Sequence, residues 1–563
     1  MRRIALALLL AAVAPASAAD RTARAPEAVF SDFRYEGRDP SYGGRPAAPG
    51  EYLNPVIAGT YPDPSIVRVG RDYYLATSSF IASPGIPIFH SRDLVRWRQI
   101  GAAVTRRGQM KLDGMATWAG QYAPDIKYRD GTFYLLGTCY KCGGNFLMTA
   151  RDPAGPWSDP TWLPFEGIDP SIFFDDDGRA YVLNNGPPAG GSRYDGHRAI
   201  WLQEIDLAAR RMTGPRTMIV DGGAKPLADR PFWVEGPHLI KRDGAYVLIC
   251  AEGGTKENHH QVAFRAPSLR GPYVAAPAPI LSQQGLDPAR PGRVVQAGHA
   301  DLVETPAGDW WAVFLGSRPS GPNELDFSTG RETFLLPVSW RTGWPVILPP
   351  GAPVPLRAPR PDLPPDRAAT PPLAGDYVFT ENFRRPALDR RWSWLRSPAP
   401  GWWRAGGGVL RVRAGADPLG GTGQPAFLAV RQAHPDAAVE VTVTPTPGDR
   451  TTAAGLAVFQ SEGRHYVVTI DRRGPVPELR LSRRTSDAEP LAGVAVARVT
   501  MPDGTRRVRM RAAIRGPELR FAYRPDGGAW RGIGGVQDAR LLTTASAGGF
   551  SGVLMGVVAQ AGR

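Results

Sequence analysis

Three carboxylic acids stand at corresponding places in a repeated hairpin: Asp63 in Tyr61-Pro62-Asp63-Pro64, Asp169 in Ile168-Asp169-Pro170, and Glu235 in Trp233-Val234-Glu235-Gly236. Like charges gathered in a partly dry cleft push their pKa values apart, so one group keeps its proton while another is ionised. General acid/base chemistry requires that division of labour. Aspartate before proline also serves ordinary turns, where the carboxylate accepts backbone N–H groups. A turn by itself, however, needs neither Asp nor Glu, and one copy of the hairpin holds Ala123 at this place.

The hairpin that carries these acids recurs five times: YPDPSIVRVGRDYYLATS from Tyr61, YAPDIKYRDGTFYLLGT from Tyr122, IDPSIFFDDDGRAYVLNN from Ile168, VEGPHLIKRDGAYVLICAE from Val234 and GHADLVETPAGDWWAVFLGS from Gly298. Each gives a bend, an apolar strand, a Gly turn and a second, aromatic-led strand. Copies at periods of roughly 45–65 residues are the mark of radial repetition, each copy forming the inner part of one sheet. The sequence therefore predicts an all-β, five-bladed β-propeller. Setting Ile66, Ile126, Ile172, His238 and Leu302 in register places Asp63, Ala123, Asp169, Glu235 and His299 three residues earlier, as a ring around the axis at one mouth.

At 563 residues the chain is too long for one ordinary domain. Residues 1–19 have the form of a signal peptide, with Arg2-Arg3, an apolar run from Ile4 to Val13 and Ala16-Ser17-Ala18, so export is expected to the periplasm or beyond. Residues 20–50, polar and Gly/Pro-rich, read as an N-terminal arm, and residues 51–347 as the propeller. The proline-dense stretch 348–375 reads as a tether, and residues 376–563 as a β-sandwich of alternating strands such as AVEVTVTP from Ala438.

The net charge of +14 invites a nucleic-acid partner, but the arginines are scattered and no basic run interleaves with stacking aromatics, which excludes that class. No later stretch reaches a membrane-spanning length. Cys139, Cys142 and Cys250 form no disulfide framework; Cys139 and Cys142 read as a structural pair capable of a local disulfide. Metalloprotease, nucleophile-elbow and phosphate-loop motifs are absent. Nothing in the sequence specifies an oligomeric state.

The motifs NPVIAGTYPDPSIVRVGRDYYLATSSF, GIDPSIFFDDDGRAY, WVEGPHLIKRDGAYVLICAEGGT, GHADLVETPAGDWW and GRETFLLPVSWRTGWPV resemble glycoside hydrolase family 43, in its β-xylosidase and α-L-arabinofuranosidase branch. LDRRWSWLR, AAGLAVF and GGFSGVLMG resemble the concanavalin-like sandwich that this branch appends. The resemblance implies an inverting, exo-acting glycosidase on hemicellulose oligosaccharides, with Asp63 as general base, Glu235 as general acid and Asp169 as the group that orients and raises the acid. It further implies sugar contacts from Phe80, Tyr122, Thr255, His299, Arg331 and Phe550, with no organic cofactor and, in some members, a structural calcium near His299. The chain departs from the family at Tyr122-Ala123-Pro124, at Lys256 to His260 and at Pro319 to Phe327, which bears on the sugar rather than the reaction. A carbohydrate-binding protein without catalysis is the other reading of this scaffold.

Overall fold

The computed structural model describes residues 26–366, 372–445, 452–472, 476–502 and 504–561, so the expected signal peptide lies outside the described residues. Five antiparallel four-stranded sheets form the propeller. Their inner strands are Ser65–Val69, Gly120–Arg129, Ile168–Phe174, Glu235–Arg242 and Val295–Glu304, and each touches the next around a closed cycle. Each sheet continues outward in chain order, and apolar clusters fill the spaces between blades, as where Leu136, Leu147 and Ile172 meet Val182 and Ile205.

Hydrogen-bonding side chains lock the inner strands to one another. Asp301 accepts from the Ile66 N–H at 2.9 Å, the Ser65 hydroxyl accepts from the Ile126 N–H at 3.0 Å, and Asp125 accepts from the Ile172 N–H at 2.8 Å. Each bond crosses from one blade to its neighbour. The Lys127 ammonium lies 2.9 Å from Asp125 and 2.8 Å from Asp301, bridging both buried carboxylates. Burial by itself would raise the Asp125 pKa, yet Lys127 and His238 hold it well below the usual carboxylate range.

Hairpin pairing corrects the expected register in one blade. Ile66, Ile126, Ile172 and Leu302 pair with Leu75, Leu135, Val182 and Ala312, but the residue at their level in the fourth blade is Leu239, opposite Leu248, rather than His238. The backbone agrees. Asp63, Ala123, Asp169, Gly236 and His299 all have positive φ, from 35° to 55°. Gly236 therefore holds the ring position, and Glu235 enters from the residue before it, the level at which the second blade presents Tyr122. A Cβ on Gly236 would come within 2.9 Å of the His299 imidazole, so the ring is closed there by His299 rather than by a side chain of the fourth blade.

The second domain packs two eight-stranded sheets around a core that includes Val439, Leu456 and Val557. The segment expected as an arm belongs to it: Glu27–Arg38 is an interior strand of one sheet, between Val409–Arg413 and Asp436–Thr444. A bulge at Asp32, with φ of 53°, shifts the inward phase from Ala28 and Phe30 to Phe33 and Tyr35, which breaks the simple alternation a strand shows in sequence. The proline-dense stretch is also less free than a tether. Arg357–Pro359 pairs with Glu51–Leu53, and Val354 and Leu373 are buried on the propeller.

The domains are joined by shared structure. Ala82–Ser83 of the first blade adds to the sandwich sheet beside Ser393–Leu395, and the fully buried Arg396 bonds the Met115 carbonyl and Glu462. Cys139 and Cys142 form a disulfide, and Cys250 is buried and free.

Replacing Lys127 by Met would leave two buried carboxylates without their cation. The expected cost is about 3–5 kcal/mol, read as a lowered urea midpoint. An unchanged midpoint would show that the ammonium does not hold the axis together.

Candidate active site

At the mouth above this axis lies a cavity of about 970 Å³. All nine residues singled out in the sequence line it: Asp63, Asp169, Glu235, Phe80, Tyr122, Thr255, His299, Arg331 and Phe550. They come from every blade and from the sandwich. Asp63, Ala123, Asp169 and His299 hold a backbone conformation that non-glycine residues adopt at a cost, a feature that clusters where side chains must be aimed.

Each acid has a different environment. Asp63 accepts a short hydrogen bond from Ser78, whose oxygen in turn accepts from the Ala123 N–H at 2.7 Å. The Arg331 guanidinium lies 3.5 Å from Asp63. Burial alone would raise the pKa of Asp63, but Arg331, His299 and the Ser78 hydroxyl outweigh it and hold the carboxyl below its usual range. Asp169 accepts from the Gly236 N–H at 3.2 Å and lies 3.4 Å from His299 Nε2.

Glu235 is the opposite case. It is 5% exposed, and its carboxylate accepts one bond at 2.7 Å from the Trp233 indole N–H. Burial and the neighbouring Asp169 push its pKa up to about 8, against the opposing pull of His299 and Trp233. For His299, burial would depress the imidazole, yet Asp169, Asp63 and Glu235 together raise it to about 9. Near neutral pH the site thus holds a protonated Glu235, an ionised Asp63 and two cations, Arg331 and His299.

Phe550 arrives from the sandwich on a loop docked to the propeller: the Gly552 N–H bonds Thr60 and the Val553 N–H bonds the Ser328 carbonyl. Its ring stacks on Phe80 at 6.3 Å and lies under Arg331 at 5.2 Å. Phe80 is buried and Phe550 half-buried, yet both face the cavity. Sequence reasoning passed over Ser78, Trp233 and Arg198, whose guanidinium stacks over Trp233 at 4.1 Å. Ser78 and Trp233 could have been found from the chain, since they lie inside the quoted motifs; Arg198 lies in the loop just before strand Ala199–Asp206, with no local sign of its use.

The calcium that the resemblance implies near His299 would find few protein ligands there. His299 Nδ1 has no protein partner, and only Asp169 faces Nε2. Among the described residues the one group able to hold a metal is Asp125, His238 and Asp301, where the Lys127 ammonium already bridges the two carboxylates. Calcium takes about 6–8 oxygen ligands, water among them, so an ion near His299 would draw most of its shell from water.

Residues 52–345 match the family model described as Glycosyl hydrolases family 43, and residues 380–563 match one described as Beta xylosidase C-terminal Concanavalin A-like domain. A Butyrivibrio fibrisolvens protein named "Xylosidase/arabinosidase" is 38% identical over 426 residues, covering 75% of this chain and 80% of that one. A Bacteroides ovatus protein named "Non-reducing end alpha-L-arabinofuranosidase BoGH43B" is 35% identical over 525 residues, covering 90% and 91%. Among solved structures, a GH43_12 protein retrieved from a capybara gut metagenome superposes with a TM-score of 0.89 at 36% identity, covering 95% of this chain and all of that one.

The raised pKa of Glu235 has a consequence for stability. Its ordinary value is 4.5 and its folded value about 8, so folding favours the protonated form. That contribution is full below the ordinary value and is lost as pH rises through the folded one. Glu235→Gln, which cannot ionise, should therefore melt above the parent protein at about pH 9, with the gap closing by about pH 4. Melting curves that run parallel at both pH values would contradict the buried, protonated acid.

Proposed function

The chain belongs to glycosyl hydrolase family 43 and is a glycoside hydrolase, and from that premise we propose an exported, exo-acting, inverting enzyme that removes terminal β-D-xylosyl or α-L-arabinofuranosyl units from hemicellulose oligosaccharides. The observation that carries this reading is the split proton affinity of two carboxyl groups in one cavity, Glu235 high and Asp63 low. The names of the relatives, which include both sugars, support the substrate class.

In this reaction Asp63 takes a proton from water as the water oxygen adds to the anomeric carbon. Glu235 gives its proton to the leaving oxygen as the glycosidic bond breaks. The water enters opposite the leaving group, so the configuration inverts. An inverting pair stands about 6.5–9.5 Å apart to admit the water, the separation this reading requires of Asp63 and Glu235. Asp169 acts on Glu235 through charge, raising its affinity for the proton it must deliver. Arg331, whose Nε has no protein partner, is suited to hold sugar hydroxyls with its fixed fork of donors. Phe80, Tyr122, Thr255 and Phe550 complete the pocket for the terminal unit, and the sandwich that delivers Phe550 favours action at chain ends. No organic cofactor enters the scheme. Export rests on the leader-like residues 1–19; among the described residues no helix is long and apolar enough to cross a membrane.

Release of 4-nitrophenol from the β-D-xylopyranoside and the α-L-arabinofuranoside tests the reaction and names the sugar. Asp63→Ala should abolish most turnover of both. Glu235→Ala should cost about 10²–10⁴-fold on an unactivated disaccharide and less on the aryl glycoside, whose leaving group needs little protonation. The rate should fall as pH rises through about 8, where Glu235 loses its proton. Full activity of Glu235→Ala on the disaccharide would overturn the assignment.

A further inference from the structure

The cavity lies at the upper end of the range for sites that bury whole ligands, about 300–1,000 Å³, and its outer part is built from groups the reaction does not use. An aromatic file runs outward from Phe80. Phe80 meets Tyr122 edge-on at 5.5 Å, Tyr122 stacks on Tyr140 at 5.3 Å with planes 16° apart, and Tyr140 lies 6.1 Å from Trp118. Exposure climbs along it, from 3% at Phe80 to 38% at Tyr140 and 39% at Trp118. Aromatic faces open to water at the lip of a sugar site offer a stacking surface to the C–H face of a pyranose ring.

Two of these contacts depend on one short tip. Tyr140 ends strand Thr132–Tyr140 and Lys141 opens the turn to Gly144–Ala150, both enclosed by the Cys139–Cys142 disulfide. The Cys142 N–H bonds the Cys139 carbonyl at 3.1 Å, and Lys141 is held at φ of 63°. From that conformation the Lys141 ammonium lies over the Trp118 ring at 4.5 Å. On the other side Trp162 packs so closely on Gly143 that a Cβ there would meet its ring at 2.3 Å.

We propose that the Cys139–Cys142 disulfide is a positioning element of the leaving-group side of the site, setting Tyr140 and Lys141 against Trp118 as a shelf on which the sugar beyond the scissile bond stacks. The inference rests on the reading of this cavity as the site of glycoside hydrolysis. The shelf gives affinity for a second and third sugar without touching the terminal one, which is gripped deeper among Phe80, Arg331 and Phe550. A four-residue tip without its covalent link would sample other conformations, and Tyr140 would spend less time stacked on Tyr122.

Calorimetric binding of xylotriose and of xylose to the Glu235→Gln protein tests it, with the disulfide intact, with Cys142→Ser added, and after treatment with a dithiol that is oxidised to its cyclic disulfide as Cys139 and Cys142 become thiols. Loss of the link should weaken xylotriose about tenfold, on the scale of one aromatic stacking contact, and leave xylose almost unchanged. Trp118→Ala should reproduce this, and combining it with Cys142→Ser should add little. Equal weakening of both sugars, unchanged xylotriose affinity, or no xylotriose binding to the disulfide-intact protein would each overturn the proposal. The two readings fail separately: if the parent protein turns over no glycoside while xylotriose binding still follows the disulfide, the reaction falls and the shelf stands. If hydrolysis stands and binding ignores the disulfide, the shelf falls alone.

Discussion

Three carboxyl groups are buried around one propeller mouth, and burial of like charges is stable only if some are neutralised. Arg331 lies beside Asp63 and His299 beside Asp169, while burial and the neighbouring Asp169 leave Glu235 holding its proton. In the proposed reaction, this arrangement sets the direction of proton flow before any substrate arrives. It also accounts for Gly236, since a side chain at that place would displace the imidazole that balances Asp169.

A second set of buried charges lies below the first and has a mechanical role. Asp125, Asp301 and Lys127, with Ser65, tie four of the five inner strands by bonds that cross between blades. Because Asp63 and Asp169 stand two or three residues from these ties, the axis that closes the propeller also sets the aim of both carboxyl groups. The sandwich is held equally firmly. It takes strands from the chain's N-terminal segment and from a loop of the first blade, and it returns Phe550 to the cavity.

Much of this was legible in the sequence because it repeats. Five hairpins with the same turn chemistry gave the blade count and brought Asp63, Asp169 and Glu235 to one mouth. The one-residue slip at the fourth blade arose because Glu235-Gly236-Pro237-His238 resembles the other bends in spacing, while strand pairing and backbone dihedrals reveal that Gly236 occupies the turn. The strand Glu27–Arg38 was hidden by its bulge, and its partners lie some four hundred residues away, beyond the reach of local pattern. Trp233 stood in plain view two residues before Glu235, but a bond from its indole to a carboxylate is a fact of three dimensions. The Lys127 bridge was equally invisible, since its two carboxylates sit on different blades.

The central claim is that the fold holds Glu235 protonated near neutrality beside an ionised Asp63. Titration of the carboxyl groups by ¹³C NMR on protein labelled at Glu and Asp side chains, with Glu235→Gln for assignment, measures it directly. A carboxyl that titrates near pH 8 and vanishes in Glu235→Gln is the predicted result. Titration of every labelled carboxyl within about a unit of the ordinary range near 4 would contradict it.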